Sequence, residues 1–288
     1  MAQLIVKKED GTLLFDTNYI THGLVKSAYL QADETWYRYY LRSTNLDPNN
    51  GASYTQASQG GDPMFSITVT NAVNPICFIV GKGALQGTAR SGDTVKFFYN
   101  GGDTNTKAYV FDFMNDNVPG NPPWLKTRRP DGVISFNSLQ PPLNILYTVQ
   151  APGPASLDQF GRYLGPYAGG YWQTMRVEAG GNDPIVHYVI DIALPGGIEY
   201  AAFLNYSRAC AGYWAGALTG SRPEIVGMSE GAYGRVGGMS FMFGVAGGTT
   251  NSNATSVMTS PGSVAGLPTD RYPVALIIAT TNLPFPYN

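Results

Sequence analysis

Charge is scarce in this chain. Asp, Glu, Lys and Arg make up 13% of the residues, about half the usual share of a globular domain. The two signs nearly cancel, at 18 basic against 20 acidic residues. That balance leaves no electrostatic footprint for nucleic acid or an anionic lipid surface. The one basic cluster, Lys126-Thr127-Arg128-Arg129, runs into the turn-forming Pro130-Asp131-Gly132 and reads as a solvated loop. Cysteine and histidine are rarer still, with two of each. Cys77 in "PICFIV" and Cys210 in "SRACAGYW" sit in apolar contexts, where buried free thiols are expected rather than one disulfide. No Cys/His cluster could hold zinc, so no metal is expected there. Long apolar runs are missing too. The best candidate, "GIEYAAFLNYSRACAGYWAGAL", is interrupted by Asn205, Arg208 and three glycines. A spanning helix needs ~20 apolar residues, so no membrane insertion is expected. "MAQLIVKKED" has its lysines after a short apolar run, the reverse of a signal peptide.

Glycine, proline and tyrosine fill the space, at 35, 20 and 19 residues. "QLIVKKEDGTLLFDT" reads as a hairpin, with Glu9-Asp10-Gly11 as its turn. "LVKSAYLQADETWYRYYLRST" reads as two strands turning at Ala32-Asp33-Glu34, and "NLDPNNGASYTQASQGGDP" as a long polar loop. Strand signals then follow in quick succession from "MFSITVT" to "LNILYTVQ", separated by Gly/Pro/Asn turns. "QAPGPASLDQFGRYLGPYAGG" breaks that rhythm and marks a boundary or a long crossover. A second strand series runs from "YWQTMRVEA" to "YPVALIIATT". Within it, Phe203, Tyr206, Cys210, Tyr213 and Ala217 also fit a short helix, weakened by Gly212 and Gly216. The expected fold is therefore all-β, with antiparallel β-sandwich-like lobes, long Gly/Pro-rich loops and little helix. The expected lobes are 1–150, opening with the hairpin, and 151–288.

No catalytic constellation emerges. "GAYGRVGGMSFMFGVAGGTT" lacks the lysine of a phosphate loop and the spacing of a dinucleotide loop, so no cofactor is expected. Its glycines read as a tight turn and a close backbone approach beside a packed sheet. His187 and Asp191 share a strand face, but four residues put them about 13 Å apart. Asp112 with Asp116, Asp183 with Asp191, and the lone Glu199 and Glu224 are the acids that glycoside hydrolysis would draw on. "DFMNDNVPGN" lacks the ligand order of a calcium loop and reads as turn chemistry. The aromatics lean toward binding: Tyr163, Tyr167, Tyr171 and Trp172, then Tyr213 and Trp214, could stack on sugars or line an interface. The stretch from Val236 to Thr269 carries no charge at all and suits burial against a neighbouring chain.

The opening "QLIVKKEDGTLLFDTNYITHGLVKS", followed by "LRSTNLDP", resembles the start of minor tail or tail-tip (baseplate) proteins of long-tailed bacteriophages. The resemblance covers about the first fifty residues. It implies a virion structural protein built from β-sandwiches, assembled in the host cytoplasm. The implied partners are other tail proteins and further copies of the chain. A host surface receptor or glycan is the alternative partner, for a module on a tail fibre. A polysaccharide-degrading enzyme is the third reading. The family brings no catalytic residues.

Overall fold

The computed structural model describes residues 5–7, 9–16, 19–41, 54–116, 125–177, 184–214, 224–248, 250–253 and 262–288. The chain is all-β, and no helix occurs among these residues. The strands of the first part are β1 (Ile5–Lys7), β2 (Leu13–Asp16), β3 (His22–Tyr29), β4 (Gln31–Leu41), β5 (Tyr54–Val69), β6 (Ile76–Val80) and β7 (Ala84–Ser91). They continue with β8 (Thr94–Asn100), β9 (Lys107–Phe113), β10 (Lys126–Arg128), β11 (Ile134–Asn137) and β12 (Tyr147–Gln150). After a crossover come β13 (Tyr171–Val177), β14 (Pro184–Ala193), β15 (Tyr200–Leu204), β16 (Ala209–Trp214) and β17 (Glu224–Arg235). The last are β18 (Gly238–Val245), β19 (Thr250–Asn253), β20 (Ser263–Ala265) and β21 (Val274–Ala279).

The opening hairpin forms as its turn chemistry dictates. Gly11 takes φ +83°, and Asp10 Oδ1 accepts the Thr12 N–H at 2.8 Å. The next turn falls at Leu30 rather than at 32–34, and β4 runs through those residues. Residues 54–63, read from sequence as loop, belong to the long strand β5, which pairs with β4 and β8.

Strands from distant parts of the chain share sheets. One ladder runs β3–β9–β6–β15–β21–β12. The extended stretch 141–146 joins its two ends. The Leu24 N–H donates to the Pro141 carbonyl, the Leu143 N–H to His22 and the Leu146 N–H to Ile277, each at 2.8 Å. The sheet therefore curls into a half-barrel. Leu24, Phe78, Tyr109, Phe111, Ala201 and Ile278 fill it, with Leu283, Phe285 and Tyr287 packed against them.

A second ladder, β13–β14–β18–β17–β16–β20, is buried on both faces at its centre. Every residue of β18 is buried. Side chains alternate along a strand, so Met239, Phe241, Phe243 and Val245 enter one core while Met242 enters another. The first core is built with Tyr167, Tyr200, Val226 and Ile277, and the second with Leu30, Ile67, Phe97 and Tyr99. A third ladder, β7–β8–β5–β4, covers that second core and extends through β19, which runs parallel to β4.

The glycines of β17 let these layers meet. A Cβ on Gly234 would lie 1.8 Å from the Tyr200 carbonyl oxygen, and one on Gly231 would lie 2.6 Å from Ala84 Cα. The hairpin between β17 and β18 turns through Gly237 at φ +70°. The glycine-rich stretch thus brings backbone against backbone.

Candidate functional site

The acids considered for catalysis are held apart in bonds of their own. Asp112 lies in β9, 2% exposed, and its carboxylate accepts the backbone N–H groups of Val73, Asn74 and Phe113 at 2.7–2.8 Å. Asp116 instead pairs with Lys126 and with Arg128, the latter at 2.6 Å. The Lys126 bond, then that of Arg128, holds the Asp116 carboxyl below the usual range. The basic cluster is therefore neutralised locally, with Arg129 on Asp131 at 3.1 Å. Asp191 accepts from Ser240 at 2.5 Å and from the Tyr171 hydroxyl at 3.1 Å. Glu199 accepts from Lys107 at 2.8 Å and Thr280 at 2.7 Å. Burial raises its pKa, but these bonds outweigh that and leave it below the ordinary value. Asp183, the Glu224 side chain and residues 117–121 of "DFMNDNVPGN" lie outside the described residues. Among the described residues, no group of three His, Cys, Asp or Glu side chains could hold a metal ion.

Neither histidine sits with an acid. His22 packs edge-on against Phe113 at 4.9 Å. His187 is fully buried, with Nε2 3.1 Å from Gln173 Oε1. Burial, with a smaller contribution from Lys82, pushes its pKa down to about 4. The folded state therefore holds a neutral ring, while an unfolded chain binds a proton below about pH 6.5. A group with a depressed folded pKa of this kind costs stability as pH falls from about 6.5 toward 4, by up to about 3 kcal/mol. His187→Gln should flatten that part of the stability profile. Parallel urea titrations of the two proteins at pH 4.5 and 7 would check it; equal slopes would contradict it.

Both cysteines are buried and free, and burial pushes each thiol up to about 12. They are unreactive at neutral pH.

The six aromatics read from sequence separate into distinct environments. Tyr167 is fully buried and cannot stack on a ligand. Its hydroxyl donates to Glu230 Oε1 at 2.7 Å, and Arg208 grips the same carboxylate through Nε at 2.7 Å and Nη2 at 2.8 Å. Arg208 also donates to the Pro268 carbonyl at 3.2 Å and lies over the Tyr272 ring at 4.9 Å. Burial, then the Glu230 charge, raises the Tyr167 pKa well above its usual value. Burial opposes the charge on Arg208, but Glu230 overrides it and keeps the pKa high. This network ties the crossover to β16 and β17 and is closed to solvent. Trp172 is half-buried, edge-on to Tyr188 at 4.9 Å. Tyr163 packs against the first core and exchanges backbone bonds with Val264 at 2.8–2.9 Å. Tyr171 is exposed, with its hydroxyl on Asp191. Trp214 ends β16, and its side chain lies outside the described residues.

Tyr213 leads to the feature that sequence reasoning missed. Arg162 lies 4.5 Å over its ring and 5.0 Å over that of Phe160. Arg162 and Phe160 belong to a small arm, 155–165, within the crossover. The Ala155 N–H donates to the Gly165 carbonyl at 3.0 Å, Leu164 to Ser156 at 2.9 Å and Asp158 to Arg162 at 2.7 Å. Asp158 Oδ1 accepts the N–H groups of Phe160 and Arg162 and fixes the tip. The Arg162 bond leads in holding its carboxyl below the usual range. This ordered arm exposes Leu157 at 56%, Phe160 at 51% and Leu164 at 41%. Leu157 stands opposite Tyr163 and Leu164 opposite Ser156, so the two leucines point to opposite faces. The signal in the sequence was the apolar trio inside "SLDQFGRYLG", masked by the surrounding prolines and glycines.

Compared with known proteins, the chain matches no family model, no curated protein and no solved structure.

Proposed function

We propose that the chain is a structural subunit that acts by assembly with copies of itself and neighbouring proteins, in the tail tip or baseplate of a phage. The apolar arm 155–165 carries this reading. A hairpin with exposed leucines on both faces and Phe160 at its tip cannot bury all of them against its own body. A neighbouring chain that embraces the arm would. The opening hairpin adds a second surface of this kind: Ile5 and Leu13 are exposed at 48% and 49%, and among the described residues β1 and β2 pair only with each other. A lone two-stranded hairpin is marginal in water. The resemblance of the first fifty residues to tail-tip proteins supplies the choice of particle. Against an enzyme reading stands the occupation of Asp112, Asp116, Asp191 and Glu199 by structural partners.

Leu157→Ser, Phe160→Ser and Leu164→Ser together should abolish self-association measured by sedimentation. Each site is exposed, so the fold itself should change by about 0.5 kcal/mol or less per substitution. Unchanged sedimentation of a folded triple variant would remove the arm from the interface.

A further inference from the structure

A cleft of about 410 Å³ opens where β3, the end of β5 and the chain beyond β9 converge, remote in sequence from the apolar arm. Its volume lies within the range of about 300–1,000 Å³ typical of small-ligand sites. Lys26, Thr68, Thr70, Asn71, Asn115 and Gln140 line it, together with Asn288. Among the described residues, Val25 and Val69 are its only apolar side chains, and no aromatic or carboxylate side chain belongs to the lining.

Three features mark this cleft as built for a ligand. Gln140 is 2% exposed. Its Oε1 accepts the Asn115 N–H at 2.8 Å, but its amide nitrogen reaches only the Leu24 carbonyl, at 3.5 Å. An amide NH₂ has two hydrogens to place, so a further acceptor in the cleft would complete it. The Lys26 ammonium, with three hydrogens, donates to the Thr68 carbonyl at 2.9 Å and makes no ion pair among the described residues. Finally, Asn71 lies on this cleft at φ +53°, a value uncommon for a non-glycine residue. Such backbone outliers concentrate at ligand sites.

Amide nitrogens, hydroxyls and one ammonium call for a ligand dense in oxygen acceptors. Amide oxygens and threonine hydroxyls call for donors on the same ligand. A peptide would bring side chains in search of apolar pockets, and two valines offer little. We propose that the cleft is a saccharide site that takes a neutral mono- or disaccharide unit by its hydroxyls. The cleft shares no lining residue with the apolar arm or the opening hairpin, and the proposal stands or falls separately from assembly.

Calorimetric titration of the full chain with lactose, cellobiose and chitobiose tests this. At least one should bind with a millimolar or tighter Kd. Thr70→Val with Asn71→Gly should weaken that binding by roughly tenfold or more. Both positions are exposed, and glycine accepts the φ of Asn71, so the thermal midpoint should hold. Lys26→Met, which keeps the stem, should also weaken it. No binding of any of the three sugars to the wild-type chain would overturn the proposal. So would binding that both folded variants leave unchanged.

Discussion

Glu230→Leu alone should destabilise the chain by about 3–5 kcal/mol, because it leaves the Arg208 guanidinium buried and unpaired. Both side chains are essentially inaccessible, at 2% and 0%. The carboxylate also accepts the Tyr167 hydroxyl, so its loss strands a second donor. The companion experiment replaces the whole network: Tyr167→Phe, Arg208→Met and Glu230→Leu together. A buried ion pair exchanged for apolar groups of similar volume is often neutral. The triple variant should therefore recover most of the loss, to within about 1–2 kcal/mol of wild type. Urea unfolding of the two variants beside the wild type measures both effects. A single variant within about 1 kcal/mol of wild type would show that Arg208 finds water or another partner.

Gly234→Ala should cost about 3 kcal/mol or more, at the upper end for overpacking. The new Cβ would meet the Tyr200 carbonyl oxygen at 1.8 Å and Ala201 Cα at 2.6 Å, both backbone. No rotamer change relieves such a contact; β15 and β17 must separate. That would also break the bond from the Gly81 N–H to the Gly234 carbonyl, 2.9 Å long, which joins this layer to the half-barrel. Gly196→Ala is the matched control. It has nothing within 4 Å of its Cβ and no positive φ, so it should shift stability by about 0.5 kcal/mol or less. Thermal midpoints that fall equally in both variants would contradict the clash, since the lower chain freedom of Ala by itself stabilises.

Local chemistry made part of this fold legible. Asp10-Gly11 announces a hairpin, and the alternation of Met239, Phe241 and Phe243 announces a strand. That β18 is buried on both faces could not be read, because Met242 finds its core among residues 30–110. Residues 54–63 looked like a loop because Gln, Ser and Gly carry little strand preference. Pairing with β4 overrides that. The alternative helix over Phe203, Tyr206, Cys210 and Tyr213 does not form, for a related reason, and Ala217 lies outside the described residues. β15 and β16 are claimed by β21 and β17, and Asn205 turns the chain between them by accepting the N–H of Tyr206 and of Val274.

The six aromatics named from the sequence differ in their surroundings in a way the sequence does not show. Tyr163, Tyr167, Trp172 and Tyr213 are partly or wholly engaged in packing, whereas the exposure lies with Leu157, Phe160, Leu164 and Tyr171. Exposure depends on what the rest of the sheet covers, and a single strand cannot reveal it. The Arg208–Glu230 contact likewise depends on the register of β16 against β17.

The mass of the purified chain in solution, by light scattering over a range of concentrations, tests the assembly reading most directly. Assembly through the apolar arm requires a mass that is a multiple of the single chain. If the interface is instead shared with phage tail proteins, as proposed, it requires a mixed complex when they are added. A single-chain mass at every concentration, unchanged by those proteins, would contradict it.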